Sequence, residues 1–246
     1  MFLQGRPVSL TVLDYGFFRV HGSNGTGPRD IGLMGGLVIT DAGERVLIDT
    51  GLPAKYARDP SAGTEDGLDS FGRVLSMTEA NLPSAQLALC GVECVDLVII
   101  THTHIDHIGG LFDFHDVPML ISAPERALPR PLYWTGGQPW EWPDREWGII
   151  DGDGVIGPGF EVYLTPGHAP GQLAFCLELP ETGRLLWCSD AISRPAEVDE
   201  EFVGSWNSKH ALFHAKRLLS LEHDLVIYGH DPAQWSQLKK APACYC

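Results

Sequence analysis

Five short apolar runs punctuate the chain, and each ends in polar residues. Val46-Leu47-Ile48 leads into Asp49-Thr50-Gly51, and Leu97 to Ile100 leads into Thr101-His102-Thr103-His104. Val162-Tyr163-Leu164 leads into Thr165-Pro166-Gly167-His168, Leu185 to Cys188 into Ser189-Asp190, and Leu225 to Tyr228 into Gly229-His230. Runs of this length, bounded by turn residues, predict strands buried on both faces. In such sheets the binding crevice lies outside the carboxyl ends of the strands. All five ends deliver an Asp or a His.

Helical spacing fills part of the remainder. A Ser84 cap and a Gly91 stop predict a helix over Pro83 to Leu89. Leu212, Phe213, Ala215, Leu218 and Leu219 predict another over Ser208 to Leu221, with Lys209, Lys216 and Arg217 turned outward. A short helix is expected near Ile108, where Gly109-Gly110 permits close packing on the sheet. The polar, Gly-rich segment Leu52 to Ala80 reads as an insertion or lid, and Pro124 to Gly148 holds four of the seven Trp. No repeat or linker divides the chain, so one domain over 1–246 is expected.

Composition narrows the classes. The chain is 44% hydrophobic, enough for a sizeable core, and its 28 Gly and 18 Pro fit a loop-rich α/β protein better than a helix bundle. A net charge of −15 repels phosphate backbones and anionic lipid, so neither nucleic acid nor membrane is expected as a partner. No run approaches the ~18–20 apolar residues of a membrane span. Met1 to Leu10 lacks the apolar stretch of a secretory signal, which makes cytoplasmic the expected location. The six Cys show no four-Cys zinc spacing and are expected as free thiols, with Cys244 and Cys246 in a disordered tail.

The sharpest feature is His102-Thr103-His104-Ile105-Asp106-His107. Residues two apart on an extended segment face the same way, so His102 and His104 can ligate one ion together. A turn toward a helix then re-aims Asp106 and His107 at a second point. Imidazole and carboxylate suit Zn²⁺, and also Mn, Fe or Co. With His168, Asp190 and His230 at later strand ends, the count reaches five His and two Asp. That is enough for two metals sharing a carboxylate, whereas a closed structural zinc needs only about four ligands.

These words together resemble the metallo-β-lactamase superfamily: His102-Thr-His104-Ile-Asp106-His107-Ile-Gly-Gly110, Thr165-Pro-Gly-His168, Ser189-Asp190, Gly229-His230-Asp231 and Asp49-Thr50-Gly51, over roughly Gly35 to Pro232. The resemblance implies an αββα sandwich, two mixed β-sheets flanked by helices. It implies that His102, His104 and His168 hold one metal, that Asp106, His107 and His230 hold another, and that Asp190 bridges them. Aspartate in place of cysteine at position 190 resembles the glyoxalase II and lactonase branches. Thr165 to Gln172 and Tyr228 to Asp231 are most similar to the quorum-quenching N-acyl homoserine lactonases. Those lactonases usually carry a Tyr three residues beyond the bridging Asp, where this chain has Ser193; Tyr133 is a candidate replacement.

The implied chemistry is hydrolysis of a small lactone with two Zn²⁺ per chain. Asp106 would shuttle the proton, Asp190 would bridge, and Asp231 and Asp49 would fix ligand tautomers. Ser193, Tyr133, Trp134, Trp140 and Trp142 are the candidate substrate contacts. Arg130, Arg145 and Arg194 are weaker candidates as carboxylate anchors. The same fold would also serve a cyclic amide or imide, an ester, a thioester or an organophosphate, and a non-catalytic metal-binding protein is the alternative outside enzymes. A homodimer is the expected assembly by analogy with related lactonases.

Overall fold

The computed structural model describes residues 2–22, 27–59, 61–131 and 140–246. Two long antiparallel strands, β1 (Pro7–Val20) and β2 (Arg29–Thr40), lead into β3 (Arg45–Ile48). β4 (Gly72–Ser76) pairs with β1, while β5 (Leu97–Ile99), β6 (Met119–Ser122) and β7 (Trp147–Ile150) extend parallel from β3. This seven-stranded sheet runs β4-β1-β2-β3-β5-β6-β7. β8 (Gly154–Gly157), β9 (Phe160–Leu164), β10 (Leu173–Leu179), β11 (Gly183–Trp187) and β12 (Leu225–Ile227) form a second sheet in the order β12-β11-β10-β9-β8. The helices are α1 (Lys55–Arg58), α2 (Ala62–Glu65), α3 (Pro83–Leu89), α4 (Ile105–Ile108), α5 (Ala123–Arg126), α6 (Ser208–Leu219) and α7 (Pro232–Trp235).

Three buried clusters define the layers. Along β5, Leu97 and Ile99 enter the cluster between the sheets, while Val98 and Ile100, the residue just after the strand, enter the one beneath α1 to α4. Along β11, Leu185 and Trp187 face the other sheet while Leu186 and Cys188, the residue just after the strand, face α6. A strand apolar on both faces has no polar alternation to show, which is why these runs are continuous. Helix, sheet, sheet and helix therefore stack as the expected αββα sandwich.

Several local expectations need correction. β12 is an edge strand, and its Leu225 and Val226 are only half-buried. α3 opens on Pro83 at its first turn, with Leu82 in the cap position and no role there for Ser84. Phe213 lies on the solvent side of α6, 63% exposed; Ala211, Ala215 and Leu218 form the buried stripe, and Asn207 caps the helix. The segment after Leu52 is built into the domain: β4 pairs with β1, and Tyr56, Leu68 and Met77 are core residues. The tail is docked as well. Tyr245 exchanges backbone hydrogen bonds with Leu10, 2.8 Å each, and the Cys244 and Cys246 Sγ atoms lie 3.1 Å apart. Among the described residues no helix is long and apolar enough to cross a membrane.

Candidate metal centre

The strand ends converge where the two sheets meet. The Leu173 N–H donates to the Thr101 carbonyl at 2.9 Å, tying the start of β10 to the loop after β5. That loop carries His102 and His104, and α4 follows at once with Asp106 and His107 in its first turn. A Cβ on Gly109 would stand 2.0 Å from the Leu52 carbonyl carbon, so glycine lets α4 lie directly on the 51–53 backbone. His168 comes from the β9–β10 turn, Asp190 from a 3-10 turn over Ser189–Ile192 after β11, and His230 from the end of β12.

Seven side chains meet in two groups, His102, His104, His168 and Asp190 in one and Asp106, His107 and His230 in the other, with donor atoms within 4.8 Å of one another in each. His104 Nδ1 lies 3.0 Å from His102 Nε2 and 2.8 Å from His168 Nε2. Asp190 stands in the first group and also faces the second. Its Oδ2 faces His168 Nε2 at 3.2 Å, and its Oδ1 faces His230 Nε2 at 3.1 Å and His107 Nε2 at 3.6 Å. Asp106 Oδ2 sits 3.5 Å from His107 Nε2 and 3.4 Å from His230 Nε2.

The outer nitrogens are engaged elsewhere, which fixes which ring atom points inward. His107 Nδ1 is 2.8 Å from Asp49 Oδ2, and His230 Nδ1 is 2.8 Å from the Gly32 carbonyl. Asp49 also accepts the Thr101 N–H and hydroxyl, both at 2.8 Å, and holds a left-handed φ of 62° to do so. Strained backbone of this kind persists only where its surroundings demand it. Tyr15 supports that turn, its hydroxyl donating to the Asp49 carbonyl at 3.1 Å.

Charge divides the centre. Burial, then the neighbouring imidazoles, push His102 and His168 below the ordinary range and His104 down to about 3, so this trio is neutral, the form that ligates. Burial opposes charge on His107 and His230 too, but there the carboxylates prevail. Asp106, Asp49 and Asp190 hold His107 well up, and Asp190 with Asp106 brings His230 to about 9. Against their own burial, the same imidazoles hold Asp106 and Asp190 below the usual carboxylate range. Asp106 and Asp190 face the imidazoles and Asp49 backs His107 from outside, a set of carboxylates that favours positive charge between them.

The donor set fits metal cations. His107 Nε2 and Asp190 Oδ1 are buried without a hydrogen-bond partner, an expensive state unless something else occupies them. Nitrogens on a tetrahedral zinc, with bonds of about 2.0–2.1 Å, stand about 3.3 Å apart, close to the spacing within the His102, His104 and His168 trio.

A profile of the metallo-beta-lactamase superfamily matches residues 36–230. The chain belongs to the metallo-beta-lactamase superfamily. It is 31% identical over 207 residues to an N-acyl homoserine lactonase of Bacillus thuringiensis, with 80% of each chain covered. It is 27% identical over 226 residues to the N-acyl homoserine lactonase AttM of Rhizobium radiobacter, with 85% of each covered. Among solved structures, an N-acyl homoserine lactone hydrolase with N-hexanoyl-L-homoserine at its catalytic metal centre shares the fold at a TM-score of 0.83 and 22% identity, over 99% of this chain and 100% of that one. AidC, a dizinc quorum-quenching lactonase, shares it at a TM-score of 0.63 and 17% identity, over 93% and 91%.

The remaining described candidates stand outside the two groups. The Ser193 N–H donates to Glu197 at 2.8 Å and its carbonyl accepts the His230 N–H at 2.8 Å, placing it one hydrogen bond from a centre residue. Trp140 packs edge-on against Phe112 at 5.6 Å. Trp142 donates its N–H to the Leu128 carbonyl at 2.7 Å and packs on Trp147 and the Arg126 guanidinium. Tyr133 and Trp134 lie outside the described residues. Arg130 pairs with Glu141, Arg194 with Glu200, and Arg145 caps the Phe114 and Val117 carbonyls. Asp231 caps α7 by accepting the Ala233 and Gln234 N–H groups, and does not serve as a tautomer partner. Sequence reasoning missed Glu125, buried between the Thr103 and Gly171 segments; its one local signal is the Ser122 cap three residues earlier.

Proposed function

We propose that the protein is a dinuclear, zinc-dependent lactonase that hydrolyses an acyl homoserine lactone or another small lactone. Asp190 carries the reading: one buried carboxylate faces both nitrogen clusters, an arrangement of use where two cations share it. The lactone is favoured over amide, thioester and phosphotriester because relatives matched over 80% and 85% of the chain are named lactonases.

In this reading His102, His104 and His168 hold one ion, Asp106, His107 and His230 the other, and Asp190 both. When bound, such ions polarise the lactone carbonyl and lower the pKa of water toward about 7, so that it attacks at neutral pH. The protein supplies the rest. Asp106, kept ionised between His107 and His230, accepts a proton from the attacking water and returns it to the ring oxygen as the acyl–oxygen bond breaks. Asp49 and the Gly32 carbonyl hold His107 and His230 with Nε2 inward.

Ser193 is assigned to the carbonyl end of the substrate. Tyr133 is assigned with Ser193 to that carbonyl end, Trp140 and Trp134 to the apolar wall, and Trp142, its N–H committed to Leu128, contributes ring surface there. A homodimer remains part of the reading.

The test is ring opening by the purified, metal-analysed protein against lactones of graded acyl length, with matched cyclic amides, thioesters and a phosphotriester. Lactone turnover with two metals per chain, lost on chelation, is the expected result. Preference for another substrate class overturns the lactonase reading and leaves the metal site standing.

A further inference from the structure

Behind the three-histidine cluster lies Glu125, a carboxylate with no solvent exposure and no place among the metal-ligating groups. It sits in the first turn of α5, which is anchored by the Ser122 hydroxyl. Glu125 Oε2 accepts both the N–H of Thr103, at 3.0 Å, and its hydroxyl, at 2.6 Å. Glu125 Oε1 accepts the N–H of Gly171 at 2.8 Å.

Those partners belong to the ligand-bearing segments. Thr103 stands between His102 and His104, and Gly171 is three residues past His168. The adjacent Arg126 turns away onto the Trp142 ring, 4.8 Å from its centroid. Burial pushes the Glu125 carboxyl above its usual range and the three donors work against that, since hydrogen bonds to a charged acceptor are the strong kind. The fit is tight: a Cβ on Gly171 would stand 2.0 Å from Ser122 Oγ and 2.8 Å from the Glu125 nitrogen.

We propose that Glu125 is a positioning residue for the three-histidine metal site, a buried clamp that holds the His102–His104 segment and the His168 turn at the separation where their nitrogens converge. An apolar filler would hold the same volume without ordering the Thr103 and Gly171 peptides. A carboxylate orders both at once, through two oxygens pointing to different chain segments. The inference rests on reading this cluster as a metal site and needs no particular substrate.

The test uses the full chain, metal-free and zinc-loaded, as wild type, Glu125→Gln and Thr103→Val. Glutamine keeps the shape but turns an NH₂ group toward the donors. Chelator competition should show affinity at the three-histidine site falling about 10–100-fold in Glu125→Gln, and about 3–10-fold in Thr103→Val, which loses one hydroxyl donor. The rise in thermal midpoint on zinc loading should shrink in the same order, because ligand-linked stabilisation tracks affinity. Equal losses of midpoint with and without zinc, at unchanged affinity, would reduce Glu125 to a scaffold residue and overturn the proposal. If Glu125→Gln does not fold, unchanged affinity in Thr103→Val overturns it as well. Weakened zinc binding alongside no lactone turnover by the wild type would sink the lactonase reading and leave the clamp intact.

Discussion

Asp49 Oδ2 lies 2.8 Å from His107 Nδ1, with both side chains buried. The pair fixes His107 with Nδ1 protonated and Nε2 turned into the centre, where that nitrogen has no hydrogen-bond partner. Asp49 is itself locked by the Thr101 N–H and hydroxyl.

Asp49→Asn is the direct probe of this relationship. The amide can offer an NH₂ where His107 needs an acceptor, and the wrong tautomer then points a proton at the ion. Metal affinity of the His107-containing site should fall about 10–100-fold, while the three-histidine site, which meets Asp49 through the Thr101 hydroxyl 3.2 Å from His102 Nδ1, should lose less. Metal counting during chelator titration checks this; loss of both ions together would mean that the sites are not separable.

Replacing Asp190 acts on both sites at once. Asp190→Asn keeps the volume but removes the charge that faces His168 on one side and His230 on the other. Metal content should drop from two equivalents toward one, and kcat should fall about 100-fold or more as the second cation is lost. Two equivalents retained at undiminished turnover would remove Asp190 from the shared position.

The contrast between legible and illegible parts of this molecule is physical. β3, β5 and β11 were visible because layers on both faces make their sequences continuously apolar, and the clustered His and Asp residues were visible because they follow such runs directly. β1 and β2 were not read as strands, since their 14 and 12 residues include Asp14, Arg19, Arg29 and Asp30 and several Gly. The Leu52 to Ala80 segment looked polar, yet β4 needs only the edge of β1 to exist. Glu125 was invisible for another reason: its partners stand 22 and 46 residues away, and no local spacing encodes such contacts.

Metal binding should release protons, with a definite sign. In the metal-free protein the pKa of His230 is raised to about 9, and that of His107 is raised too. At neutral pH both carry protons that zinc must expel, since a ligating imidazole is neutral. Apparent zinc affinity therefore climbs as pH rises toward about 9 and falls as the solution is acidified. Calorimetry in buffers of differing ionisation enthalpy should show net proton release near pH 7. Proton uptake, or no exchange, would contradict the charge arrangement of the centre.

Proton transfer by Asp106 separates from its ligand role through kinetics. Asp106→Asn retains an oxygen toward the site but accepts no proton, so kcat should fall about 10²–10⁴-fold. Refilling the protein with excess zinc should restore metal content without restoring kcat. Recovery of turnover on refilling would assign Asp106 to metal binding alone.

Gly229 tests the centre from the backbone side. A Cβ there would stand 2.5 Å from the Ser189 carbonyl oxygen and 2.7 Å from Asp190 Oδ1, the oxygen facing His230. Neither neighbour yields freely: Ser189 already holds a left-handed φ of 46°, and Asp190 is buried. Overpacking of this kind costs about 1–3 kcal/mol, so Gly229→Ala should lower the thermal midpoint even in the metal-free protein. With the displaced atom proposed as a ligand oxygen, the zinc-loaded protein should lose more than the metal-free one, and that difference is the quantity to measure. Equal losses in the two states would mean that Asp190 Oδ1 does not engage the ion beside His230.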